Sequence, residues 1–200
     1  EVDGKRRRYL VHIPRGCREA AAGIFILPPD GWTADDLLNK THWRWLAEAE
    51  PERSRPILFF LEPQNGIWHT EEAYGCADGD VAYAEAVFRE LSDRHWFNVH
   101  ESSLYLYGCE EGAAIAQMSA MWNPAVYAGL CTIDAEVSDD YVQKAAQDAC
   151  VNLDGFEDTT HRCGVLKSDV PLPVWMISDR TQSPEALRFW KHSICADHCV

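Results

Sequence analysis

The chain has 200 residues, with 18 Lys and Arg against 32 Asp and Glu, a formal net charge of −14. That length fits one domain, and 46% hydrophobic with 25% charged residues is globular usage that argues against disorder. The acidity excludes a nucleic-acid binder, which needs clustered Lys and Arg, and no apolar run reaches the roughly 18 residues of a membrane span.

In chain order, the one basic run, Lys5-Arg6-Arg7-Arg8, is short and leads straight into an apolar stretch, Tyr9 to Pro14, which reads as a strand. Gly23 to Leu27 is a continuously apolar strand stopped by Pro28-Pro29-Asp30-Gly31. A helix-like stretch follows from Trp43 to Glu50, then the apolar strand Ile57 to Leu61, stopped by Glu62-Pro63. Asp80 to Arg94 fits a long amphipathic helix with Val81, Ala84, Val87, Phe88 and Leu91 on one face. Leu104 to Tyr107 is a strand, followed by Gly108 and an Ala-rich helix through Trp122. Tyr127 to Ile133 is a strand, Asp140 to Asp148 a helix, Pro173 to Ile177 a strand, and Pro184 to Cys195 a final helix. The stretch from Val151 to Asp169 is polar and without clear periodicity.

Strands that are apolar along their whole length are buried on both faces. Alternated with helices, they predict an α/β fold: a mostly parallel sheet flanked by helices on both faces, a three-layer αβα sandwich. With no internal repeat and no low-complexity linker, residues 1–200 read as a single domain, standing alone or as part of a longer chain. The start at Glu1-Val2-Asp3-Gly4 has no signal-peptide pattern, which favours a cytoplasmic location with no membrane partner.

In such sheets ligands bind beyond the carboxyl ends of the strands. The sharpest strand-to-helix junction is Tyr107-Gly108-Cys109-Glu110-Glu111-Gly112-Ala113. Two glycines four apart, after a strand and opening a small-residue helix, give the frame of a nucleophile elbow, G-x-S-x-G. The apex is Glu110 instead of Ser.

These segments, taken in order, resemble the α/β-hydrolase esterases of the polyhydroxybutyrate-depolymerase and feruloyl-esterase type. Asp3 to Pro14 looks like their first strand, and Pro28-Pro29-Asp30-Gly31 stands where they place a His-Gly oxyanion turn. Trp45-Leu46-Ala47-Glu48, Glu62-Pro63 with Trp68, and Gly79-Asp80-Val81 resemble the sections that follow. Trp122-Asn123-Pro124-Ala125-Val126-Tyr127-Ala128-Gly129 is similar to their approach to the strand after the elbow. Pro171 to Ile177, with Phe189-Trp190-Lys191, is similar to the acid-bearing strand and its helix. The resemblance spans nearly the whole chain. It implies a Ser nucleophile at position 110, an acid at Gln182 or, with a shorter loop, Asp179, and a His after one further strand, beyond Val200.

The departures set the functional expectation. Ester hydrolysis through an acyl-enzyme needs a nucleophile, a base and donors for the oxyanion. A Glu carboxylate needs no base, but its attack on an ester gives an anhydride that reverts easily. Cys109 is the alternative nucleophile, one position off the apex, where it reads as a small buried residue. Glu110 and Glu111 also suit the positive start of the following helix without any chemistry. The leading expectation is a degenerate hydrolase domain without ester hydrolysis of its own, serving as a scaffold, dimerisation or regulatory domain. A second is an ester hydrolase working through Glu110, Cys109 or residues outside the chain. A third is a small-molecule binding module using a cleft lined by Asp30, Gly31, Trp32, Trp68, Cys109 and Glu111.

No cofactor is expected. The partners expected are a second copy or a tandem hydrolase domain, and a small ester or aromatic ligand. The eight cysteines suit up to four disulfides, yet the chain is rich enough in core to need none. His192, Cys195 and Cys199 share a helical face, but standard zinc spacings are not met and no metal is expected. His42, His69, His95, His100 and His161 read as loop histidines with no catalytic spacing.

Overall fold

A strand that is apolar on both sides must be covered on both sides, and the sheet shows where that cover is supplied and where it stops. The computed structural model describes residues 4–17, 20–71, 79–94, 98–148, 172–178 and 184–193. In chain order these form β1 (Tyr9–His12), β2 (Ala21–Leu27), α1 (Ala34–Lys40), α2 (Trp43–Ala49), β3 (Ile57–Leu61), α3 (Gly79–Arg94), β4 (Val99–Cys109), α4 (Glu111–Trp122), β5 (Gly129–Ile133), α5 (Asp139–Asp148), β6 (Val174–Ile177) and α6 (Pro184–Ser193). The described strands make one six-stranded sheet in the order β1-β3-β2-β4-β5-β6. β1 runs antiparallel to β3 and the other pairs are parallel. Among the described residues no helix is long and apolar enough to cross a membrane.

Register sorts the strand residues by face. Phe59 pairs with Phe25, Phe25 with Leu106, Leu106 with Leu130, and Leu130 with Val174, so these five share one face. That face is buried under apolar residues of α3, α4, α5 and α6, including Val87, Ile115, Val142 and Phe189. The opposite face carries Leu58, Phe60 and Ile26, packed with Leu37 of α1 and Ala47 of α2. Helices therefore lie on both faces, as the three-layer reading requires.

The second face is covered only in part. Tyr107 meets the edge of Trp43 of α2 at 4.8 Å between ring centroids. Beyond it, Tyr105, Trp175 and Ile177 are 41%, 67% and 57% exposed. The continuously apolar sequences of β4 and β6 led to the expectation of burial on both faces, and that expectation fails here. No described element lies over the outer side of these strands, whereas β3 is buried at every position.

Elements differ from their sequence expectations mainly at their ends. β4 begins at Val99, five residues before the expected Leu104, and β5 begins at Gly129 instead of Tyr127. α1 has no counterpart in the periodicity reading. It starts on a capping box: the Thr33 hydroxyl accepts from the Asp36 N–H at 3.1 Å, and the Asp36 carboxylate accepts from the Thr33 N–H at 3.0 Å. The polar stretch from Val151 to Asp169 and the cysteines at 195 and 199 lie outside the described residues.

The basic run turns out to be partly internal. Arg7 pairs with Asp80 at the start of α3, with side chains 5% and 0% exposed. Its guanidinium also lies 4.1 Å from the Tyr83 ring centroid. Asp80 accepts from the His69 backbone N–H at 2.7 Å and lies 3.0 Å from His69 Nδ1. One buried carboxylate thus ties the segment before β1, the loop after β3 and α3 together. Removing one partner of a buried pair leaves the other charge uncompensated. Arg7→Met is therefore expected to cost about 3–5 kcal/mol in urea unfolding, and Arg7→Met combined with Asp80→Leu to recover much of that loss.

Candidate active site

The chain steps from β2 outward to β3 and then back across β2 to β4. The direction of winding therefore reverses between β2 and β4, and the carboxyl ends of those two strands bound the crevice where such sheets bind ligands. Both expected segments arrive there: Pro28-Pro29-Asp30-Gly31 follows β2, and Cys109-Glu110-Glu111-Gly112 joins β4 to α4.

The elbow is present in its backbone. Glu110 has φ 53° and ψ −121°, a conformation that costs a residue with a Cβ on the order of 1–3 kcal/mol. The surroundings hold it there. Its N–H donates to the Ile133 carbonyl at 2.8 Å, and its carbonyl accepts from the Ala113 and Ala114 N–H groups at 2.9 and 3.1 Å. The two glycines permit the turn by close approach. A Cβ on Gly108 would lie 2.4 Å from Ala113 Cα, and one on Gly112 would lie 2.2 Å from the Pro28 carbonyl oxygen. Neither gap admits a methyl group.

The loop after β2 is braced against the 63–68 loop. Gly31, at φ +77°, donates its N–H to the Gly66 carbonyl at 2.7 Å. The Asp30 carboxylate accepts from the Trp68 N–H at 2.8 Å, and the Trp68 indole N–H donates to the Pro28 carbonyl at 2.7 Å. Trp68, expected to line a cleft, is only 3% exposed and works as this brace. Trp32 is half-buried against the α1–α2 cluster, with Lys40 Nζ 5.6 Å from its ring centroid.

The two segments meet through one hydrogen bond. The Asp30 N–H donates to Glu111 Oε2 at 3.2 Å. In elbow hydrolases the oxyanion hole is made by the N–H after the nucleophile and an N–H of the loop after this strand. Here an N–H of that loop is taken by a carboxylate of the chain itself. Sequence reading placed Glu111 at the helix start but did not reveal this pairing.

A third carboxylate was missed. Asp134 closes β5 at φ 54°, donates its N–H to the Ile177 carbonyl at 2.9 Å and accepts from Ser178 Oγ at 2.8 Å. A carboxylate directly after an apolar strand is the signal that would have found it. Burial pushes the Cys109 thiol above its ordinary range, and the charges of Glu110, Asp134 and Glu111 push it further. The thiol is thus poorly suited to nucleophilic attack.

The described histidines are engaged elsewhere or exposed. His12 lies 3.3 Å from Glu48, His69 bonds Asp80, His100 bonds Ser102 at 2.9 Å, and His42 is exposed ahead of α2. Asp179, Gln182, His95 and His161 lie outside the described residues. No described cluster of His, Cys, Asp or Glu is arranged to hold a metal ion. Cys17, Cys109 and Cys131 are free thiols.

This architecture is the α/β-hydrolase fold of esterases. No family model matches the chain, and no curated protein matches its sequence. Among solved structures, the acetyl xylan esterase of Aspergillus awamori superposes with a TM-score of 0.52 at 13% identity, covering 64% of this chain and 47% of that one. The protein sOPH gives 0.60 at 14% identity, covering 89% and 64%. An S-formylglutathione hydrolase of Agrobacterium tumefaciens gives 0.54 at 13% identity, covering 92% and 86%. The chain spans 47% and 64% of the lengths of the first two.

Two measurements probe the elbow. Glu110→Gly relieves the positive-φ strain and is expected to raise stability by about 1 kcal/mol in denaturant unfolding, against the usual sign of substitutions. A loss of stability would show that the turn is not strained as described. Glu110→Gln removes a negative charge beside Cys109 and so lowers the thiol pKa. Iodoacetamide labelling of Cys109 at fixed pH, followed by peptide mass spectrometry, is expected to be faster in that variant.

Proposed function

We propose that this chain is a degenerate α/β-hydrolase domain, related to esterases of the polyhydroxybutyrate-depolymerase and feruloyl-esterase type, which serves as a scaffold and does not hydrolyse esters. The observation that carries the reading is the state of the elbow. Glu110 occupies the apex, and Glu111 takes the Asp30 N–H.

Ester cleavage builds negative charge on the carbonyl oxygen, and catalysis lies in donors aimed at that oxygen. Two carboxylates at the same place oppose it. A like charge about 5 Å away costs about 3 kcal/mol at an effective dielectric near 20, roughly a hundredfold in rate. Restoring a hydroxyl would not repair this, because the donor of the β2 loop would still be held by Glu111. The elbow's value to the protein is then mechanical: it docks α4 onto the sheet.

The test is hydrolysis of p-nitrophenyl acetate by the full chain. The expected rate equals the solution background and is the same for wild type and Glu110→Ala. Turnover that Glu110→Ala abolishes would overturn the proposal.

A further inference from the structure

The second face of the sheet ends its cover at Tyr107, and what lies past it has a distinct chemistry. Register puts Tyr105 beside Gly129, Cys131 beside Trp175, and Ile133 beside Ile177, all on one face. The ring of Tyr105 lies over Gly129, where an added Cβ would come within 3.0 Å of Tyr105 Cδ1. The surface is therefore flat at its centre and aromatic at its edge. None of these residues is charged, although the chain as a whole carries −14. A charge-free aromatic patch inside a strongly charged protein has the composition of an interface core.

We propose that this face of β4, β5 and β6 is the contact through which two copies of the chain associate about a two-fold axis. The proposal goes beyond the reading of the elbow and does not depend on it. A partner recognised by charge finds no complement on this face. A second copy brings the same Trp, Tyr and Ile surface, and two twisted sheets can pack face to face about 10 Å apart. Such a contact is isologous and closes on itself.

The net charge bears on the arrangement. The acidic groups lie at one rim, beyond the carboxyl ends of the strands, where Glu110 and Glu136 are exposed and Asp134 is half-buried. If the two copies pack with their strands antiparallel, each acidic rim lies over the other copy's opposite end. A five-residue strand such as β5 separates the rims by about 16 Å. That is twice the screening length of about 8 Å at physiological salt. The association is thus apolar at its centre and only weakly opposed at its margins, so added salt strengthens it.

Sedimentation velocity of the full chain over a concentration series tests this. The expected result is a reversible dimer whose dissociation constant falls as NaCl rises from about 20 to about 500 mM. Trp175→Ser with Ile177→Ser is expected to raise that constant about 30-fold or more while leaving the far-UV circular dichroism unchanged. Hydrogen exchange of the wild type supplies a readout that needs no variant: amides of 129–133 and 174–177 slow with increasing concentration. A chain that stays monomeric throughout, a dimer that the double variant leaves intact, or a dimer that salt weakens would each overturn the proposal.

Discussion

The contact between α4 and the ends of β2 and β4 is the constraint on which the rest depends. Gly108 and Gly112 bring helix and strands closer than any side chain permits. That closeness forces the residue between them into a left-handed turn and lifts it to the rim of the sheet. It also seats α4 on the face where α3, α5 and α6 pack, so the largest core cluster forms around it. A Cβ at Gly112 would strike the carbonyl of Pro28, a clash with backbone that no rotamer can avoid. The elbow is a packing requirement first, and it persists whatever side chain stands at its apex.

That independence explains how the frame coexists with altered chemistry. A nucleophile elbow stores backbone strain so as to present one side chain to a substrate. Here the presented side chain is a carboxylate, and its neighbour Glu111 reaches back to the β2 loop. The hydrogen bond from Asp30 stitches the two segments that a substrate would otherwise part. The Trp68 and Gly66 braces fix the same loop from its other side. Charge and bracing together make a closed, acidic junction in place of an anion-receiving hole.

Much of the fold was legible in the sequence because its strands are short apolar runs ended by Pro, Gly or acidic residues. Ile57 to Leu61 was read to the residue, and the glycine pair located the elbow without any structure. α1 was not legible from periodicity, because seven residues with few apolar positions show no pattern; its Thr33–Asp36 box was the readable signal. The burial of Arg7 was also hidden, since a run of four basic residues reads as a solvated face until Asp80, 73 positions away, is folded beside it. The candidate site was legible only in part: spacing found Glu110 and Glu111, but the link from Asp30 to Glu111 and the place of Asp134 arise from tertiary contact. The open half of the sheet was not legible either. An apolar strand states that it needs cover and cannot state whether the chain itself supplies it.

The central claim is that the elbow is filled by the chain's own carboxylates and receives no oxyanion. A crystal structure of the chain grown with a methylphosphonate ester, a stable mimic of the tetrahedral anion, tests it most directly. The account predicts a positive φ at Glu110, Glu111 bonded to the Asp30 N–H, and no phosphonate density at the elbow. Phosphonate held by the backbone N–H groups of Asp30 and Glu111, with the Glu111 side chain displaced, would contradict it.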